Sequence, residues 1–190
     1  MLTRRKLFRT AAIAIGVTPT LAQAAAKKNC PERMPPQIGD VLALPSWEHD
    51  GRLIKASEVV AGAKPLTAFP RDQENGITRE RFRLNQLLLV RFDQEALDED
   101  TLKRSAGGLL AYSGTCTHTA CAVTEWDAEK HHFICPCHSS EFDPKRRARV
   151  VNGPATRSLP TLAIDIKDDL IVVVGGFSAK VGAKKKPGFG

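Results

Sequence analysis

"GTCTHTACAVTEW", residues 114–126, and "FICPCHSSEF", residues 133–142, decide how this chain folds and what it holds. Each stretch sets a cysteine close to a histidine: Cys116-x-His118 in the first, Cys135-x-x-His138 in the second, with 16 residues between His118 and Cys135. Two thiolates and two imidazoles make a four-ligand set, and zinc is one ion that takes such a set. A zinc finger, however, draws both cysteines from one turn and both histidines from the other. Here each turn gives one of each, a division that suits a two-iron cluster with the thiolates on one iron and the imidazoles on the other.

Working outward, strand signals dominate. Short apolar or alternating runs punctuated by Gly, Pro, Asn and Asp mark strands at Leu66–Phe69, Leu84–Phe92, Leu109–Tyr112, Val123–Trp126, His132–Cys135, Leu162–Ile166 and Leu170–Val174. The last two, joined by "KDD", read as a hairpin. One helix is expected over Gln94–Arg104, with Asp93 as its cap, acids early, Lys103 and Arg104 late, and Gly107-Gly108 ending it. The fold class is mainly β, and at 190 residues the chain has room for one domain with a substantial core plus a targeting segment.

That segment is residues 1–24. Arg4 and Arg5 stand in tandem before an alanine-rich stretch ending in Ala22-Gln23-Ala24, the pattern of a twin-arginine export signal with a small-residue cleavage site. A membrane anchor is the other reading, but the stretch is weakly apolar and short of the roughly 20 residues a span needs. Export would put the mature chain in the periplasm, where disulfides persist. Residues 25–37 read as an irregular lead-in and 178–190 as a basic flexible tail.

The formal net charge of +7 belongs to the ends. The signal carries Arg4, Arg5, Lys6 and Arg9 without an acid, so cleavage leaves +3, and the four lysines at 180, 184, 185 and 186 leave the body between near neutral at −1. A nucleic-acid partner has no electrostatic footprint there. There is no Ser/His/Asp order, no phosphate-cradling glycine loop and no 2-His-1-carboxylate iron motif, so no catalytic site is expected.

The Cys-x-His, 16-residue spacer, Cys-x-x-His pattern resembles the Rieske [2Fe–2S] motif. The resemblance covers roughly residues 38–177 and implies stacked antiparallel sheets with a cluster-binding subdomain over about 114–142. It implies one cluster per chain, with Cys116 and Cys135 on the inner iron and His118 and His138 on the outer. It also implies a disulfide between the interleaved Cys121 and Cys137, while Cys30 receives no role. Two ferric ions, two sulfides and two thiolates are electrically neutral, which is why such centres sit at roughly −150 to +300 mV.

In the relatives of the bc-complex type, Ser140 matches a serine that donates to a cluster sulfide, and Phe142 stands where they carry a tyrosine that donates to a cysteine ligand. Lacking that donor, this centre is expected to have a lower potential than the quinol-oxidising type. "VVNGPATRSLP", residues 150–160, resembles the proline loop over the cluster, with Gly153-Pro154-Ala155 retained and Thr156 in place of a second proline. Lys145, Arg146, Arg147 and Arg149 read either as a solvated hairpin or as a positive rim steering an acidic partner to the histidine edge. His131 and His132 read as strand residues rather than ligands, and His49 as an exposed one.

The twin-arginine pattern, Phe142 and "RFRLNQLLLVRFD" with its following helix together resemble the small subunit of arsenite oxidase and its periplasmic relatives. That implies a large oxidoreductase subunit as electron donor and a cytochrome c or copper protein as acceptor. A bc-complex Rieske subunit is the alternative and would need a retained anchor. A zinc-stabilised binding module is the third reading.

Overall fold

The structure, a computed structural model, describes residues 30–184. The expected export signal and the last residues of the tail, 185–190, lie outside them. The unit that begins at Pro31 is built of ten strands among the described residues. Six of them, β1 (Val41–Ala43), β2 (Leu66–Arg71), β3 (Leu87–Arg91), β4 (Leu109–Ser113), β9 (Thr161–Lys167) and β10 (Leu170–Phe177), close a barrel in the order β1-β10-β9-β4-β3-β2. The others, β5 (Glu125–Asp127), β6 (His132–Cys135), β7 (Ser140–Asp143) and β8 (Arg149–Asn152), form a second sheet between β4 and β9 in the sequence.

The runs "LLLV" and "LLAY" explain how the two sheets join. A strand covered on one face alternates, whereas one covered on both is apolar throughout. Leu87 and Leu89 of β3, with Leu109 and Ala111 of β4, fill the barrel. Leu88, Val90, Leu110 and Tyr112 point the other way and pack with Phe133 and Phe142 of the second sheet, and with Cys116, Cys135 and Leu159. The candidate metal centre is thereby anchored on the outer face of the barrel wall.

All seven sequence-read strands lie at or within two or three residues of an observed one, and the 162–174 hairpin turns through Asp168 and Asp169, both with positive φ. That is a type I′ turn, whose twist matches the strands. The expected helix over Gln94–Arg104 is instead a 3₁₀ turn at Gln94–Ala96 and a single helical turn at Glu99–Leu102. The break lets Leu97 enter the second core and the Asp98 amide donate to the Lys145 carbonyl. Asp98, not Asp93, caps the helical turn, accepting from the Thr101 amide at 2.8 Å.

The lead-in is docked rather than loose over its described part. Arg79, buried, forms two hydrogen bonds to buried Asp40 at 2.7 and 2.9 Å and donates a third to the Pro31 carbonyl. The start of the expected flexible tail is also held: the Arg157 guanidinium donates to the carbonyls of Lys180 and Gly182.

Candidate metal centre

Both cysteine-histidine segments are built on the same turn. In the first, the Ala120 amide donates to the Cys116 carbonyl at 3.0 Å; in the second, the Ser139 amide donates to the Cys135 carbonyl at 2.9 Å. Each closing residue is left-handed, with φ of +62° at Ala120 and +53° at Ser139. A five-residue loop of this kind curls the chain around its leading cysteine and turns amides inward. The amides of His118 and Thr119 accordingly approach the Cys116 sulfur.

Cys116 and Cys135 are both 1% exposed. Burial pushes the Cys116 thiol above its ordinary value and the adjacent Cys135 thiol adds to the rise, while the two amides pull it back. Burial and the neighbouring Cys135 thiol together disfavour the thiolate form of Cys116. A cation between the two thiols reverses the sign of that interaction.

The histidines stand on the solvent side. Their rings lie 4.8 Å apart, nearly perpendicular, with His118 half-buried and His138 exposed. The His118 Nδ1 atom is buried without a hydrogen-bond partner among the described residues. An orphaned buried nitrogen costs about 1–3 kcal/mol unless something fills its lone pair or takes its proton. A metal on the inner side of the ring does so, and the donor set fits one.

A single zinc would draw all its donors to within about 4 Å of one another, given bonds near 2.0–2.3 Å. Among the described residues, the one group of three His, Cys or acidic donor atoms lying within 4.8 Å of one another is the sulfurs of Cys121, Cys135 and Cys137. The first and last of these are joined in a disulfide. The wider spread of Cys116, His118, Cys135 and His138 suits two metal ions bridged by further atoms. The Cys121–Cys137 disulfide ties the two loops together, as the resemblance implied. Closing a loop of that length is worth about 3 kcal/mol by restriction of the unfolded chain.

β7 carries Ser140 and Phe142, the residues expected beside the sulfurs. Ser140 pairs across the strands with Cys135, and Phe142 with Phe133, so Ser140 and Phe142 share the face of Cys135. The buried Ser140 hydroxyl accepts from the Ala155 amide at 3.1 Å, and its own proton has no acceptor among the described residues. That proton is available to an acceptor in the site. Phe142 is fully buried and brings no donor. Tyr112, the chain's single tyrosine, does not replace it: its hydroxyl donates to the Pro144 carbonyl at 2.7 Å.

The proline loop covers the site for a reason visible at Gly153. With φ of +85°, it lies so close to the second loop that an added Cβ would come within 2.5 Å of Ser140 Cα and 2.7 Å of the Ser139 carbonyl oxygen. Pro154 is exposed at the rim, directly before Ala155. The second sheet continues through Asn152, ten residues past the expected boundary at 142.

Of the two readings of the basic run 145–149, the hairpin holds. The turn caps the end of β7 remote from Ser139, about 13 Å along the strand from the loop at 3.3 Å per residue. Arg147 lies 3.3 Å from Asp100, Arg146 lies 3.9 Å from Asp143, and Lys145 lies over the Phe92 ring. His131 packs edge-on against Phe92 and Trp126, and His132 faces Glu141 at 3.5 Å, neither of them in the candidate ligand set. His49 is exposed, and Cys30 is half-buried and outside the disulfide. Sequence reading missed Thr117, whose hydroxyl donates to the Arg157 carbonyl at 2.6 Å. No local signal marks a contact between residues forty positions apart.

The Rieske [2Fe-2S] domain family model matches residues 68–163. A cytochrome bc1 complex Rieske iron-sulfur subunit of Streptomyces lividans is 38% identical over 98 residues, 50% of this chain and 58% of that protein. A protein named as a respiratory nitrate reductase Rieske subunit, from Haloferax mediterranei, is 35% identical over 136 residues, 70% of this chain and 57% of that one. The matched stretch thus spans less than two thirds of either relative. Among solved structures, the soluble domain of Rieske protein II from Sulfolobus acidocaldarius aligns over 54% of this chain and 67% of its own, with 24% identity and a TM-score of 0.41. Neither sequence relative is an arsenite oxidase subunit, so the narrower resemblance is not what these matches single out. With the family model covering half the sequence, including both cysteine-histidine loops, the chain belongs to the Rieske [2Fe–2S] domain family, and its cofactor is a Rieske-type cluster.

Proposed function

We propose that this chain is an exported, periplasmic relay that passes single electrons between a donor oxidoreductase and a soluble acceptor protein, with Cys116, Cys135, His118 and His138 as the cluster ligands. The observation that carries the reading is the orientation of the donor set: two buried thiols inside, and two imidazoles at the surface with His138 exposed. The cluster supplies a one-electron couple. The chain's own residues shield the thiols from water, hold the loops together through Cys121–Cys137, present imidazole edges to a partner, and set the potential through hydrogen bonds at Ser140 and their lack at Phe142.

The donor is read as the large subunit of an arsenite-oxidase-like molybdenum oxidoreductase, and the acceptor as a cytochrome c or copper protein. The twin-arginine pattern, Phe142 and "RFRLNQLLLVRFD" support this. A second reading, the Rieske subunit of a quinol-oxidising bc complex, is favoured by the bc1 relatives. No helix among the described residues is long and apolar enough to cross a membrane, so that reading puts its anchor outside residues 30–184.

Fractionation of the native host, together with a redox titration, separates the two. Release by osmotic shock with a midpoint in the middle or lower part of the Rieske range supports the soluble relay. Retention in washed membranes with a midpoint near the top of that range supports quinol oxidation.

A further inference from the structure

We propose that residues 178–184 form a docking strap, pinned by Arg157 across the first cluster loop so that Lys180 and Lys184 orient an electron-transfer partner with an acidic rim. The proposal rests on the electron-transfer reading above. Three contacts make the strap. The Ser178 amide donates to the Thr161 carbonyl at 2.8 Å, Arg157 donates to the Lys180 carbonyl at 3.2 Å, and its other terminal nitrogen donates to the Gly182 carbonyl.

Arg157 also reaches the loop from its other side, because its own carbonyl accepts from Thr117, which lies between Cys116 and His118. Gly182 is buried against the loop. A Cβ there would stand 3.4 Å from Thr115 Cγ2 and 3.6 Å from Ala120 Cβ, and its φ of +73° lets the chain turn at that contact. Lys180 and Lys184 each lie two residues from Gly182, so their Cα atoms fall within about 8 Å of a residue that touches the cluster loop.

Apart from the candidate ligand His138 and the half-buried Arg157, the rest of the tip is uncharged. Its other exposed residues, Thr119, Pro136, Ser139, Val151, Pro154 and Thr156 among them, include no acid or base. Lys180 and Lys184 are exposed, and no carboxylate lies within 4 Å of either among the described residues. A neutral contact patch flanked by two unneutralised cations attracts an anionic surface and leaves the electron port itself dry, which raises association rate more than affinity. The distal turn 145–147 cannot do this, since it sits at the other end of β7.

The test uses reduced holoprotein at low ionic strength, oxidised in a stopped-flow instrument by ferricyanide, a trivalent anion, or by tris(phenanthroline)cobalt(III), a trivalent cation. Each probe takes one electron from the cluster. Reversing both charges in K180E/K184E should slow ferricyanide about tenfold and speed the cobalt probe, the contrast shrinking as salt is raised. R157Q keeps the lysines but frees the strap. It should lose part of the ferricyanide advantage, and trypsin should cut faster after Lys180, whose carbonyl Arg157 holds, a readout independent of electron transfer.

K145E/R146E, at the distal turn, should change either rate less than twofold. Unchanged rates in K180E/K184E, or an equal response in K145E/R146E, would overturn the strap, as would unaltered cleavage after Lys180 in R157Q. Loss of binding to phosphatidylglycerol vesicles in K180E/K184E with both probe rates unmoved would replace the protein partner with a membrane surface. If wild-type protein exchanges electrons with neither probe, the electron-transfer reading itself fails, a result distinct from the others.

Discussion

Phe142→Tyr is the substitution that most directly asks whether β7 sets the potential. Phe142 is fully buried and lies on the same strand face as Ser140, the cross-strand partner of Cys135. Cys135 and Phe142 are therefore diagonal neighbours across β6 and β7, about 7–8 Å apart and within reach of an aromatic side chain. A phenol hydroxyl there can donate to the Cys135 sulfur. A hydrogen bond to a sulfur stabilises the more negative, reduced form more than the oxidised one. If the difference is about 1 kcal/mol, the one-electron midpoint rises by about 45 mV.

Protein-film voltammetry at neutral pH measures this to within a few millivolts, and the EPR line shape checks that the cluster is intact. The Phe142→Leu variant, which changes packing without adding a donor, serves as the control. A midpoint for Phe142→Tyr that is unchanged or lower, with an intact signal, would refute the reasoning.

Four further variants probe the loops. Ala120→Gly and Ser139→Gly each remove a left-handed non-glycine residue and should stabilise the protein by about 1 kcal/mol, or about 3 °C in melting temperature by calorimetry. Gly153→Ala should accelerate cluster loss, followed as bleaching of the visible absorbance, because backbone atoms of Ser139 and Ser140 leave no room for a Cβ. Replacing Cys121 and Cys137 together by serine should cost about 3 kcal/mol in denaturant unfolding of the apoprotein. Away from the site, Asp40→Ala strips buried Arg79 of its main partner and should destabilise by about 3–5 kcal/mol in the same assay.

The ligand motif and most strands were legible because they are local: two cysteine-histidine pairs at fixed spacing, and apolar runs ended by turn residues. The three strands not foreseen each had a physical reason to be silent. β1 is only three residues long, β7 ("SEFD") has a single apolar residue, and β8 ("RVVN") is a short, mostly exposed strand. The helix over 94–104 failed where Leu97 gained more from the core than a continued helix could offer. Composition made the region around Lys180 look like a solvated tail, whereas Arg157 and Thr117 join it to the cluster loop through contacts that sequence spacing cannot show.

The central claim is that two thiolates and two imidazoles hold one binuclear cluster with the histidines outermost. Pulsed EPR of the reduced protein tests it most directly. The expected result is a Rieske-type signal with strong nitrogen couplings from two imidazoles, one of which disappears in His138→Ala or takes the signal with it. A cluster signal without histidine nitrogen coupling would mean that Cys121 or Cys137 serves as a ligand instead. A colourless, EPR-silent protein that holds one zinc per chain would rule the cluster out.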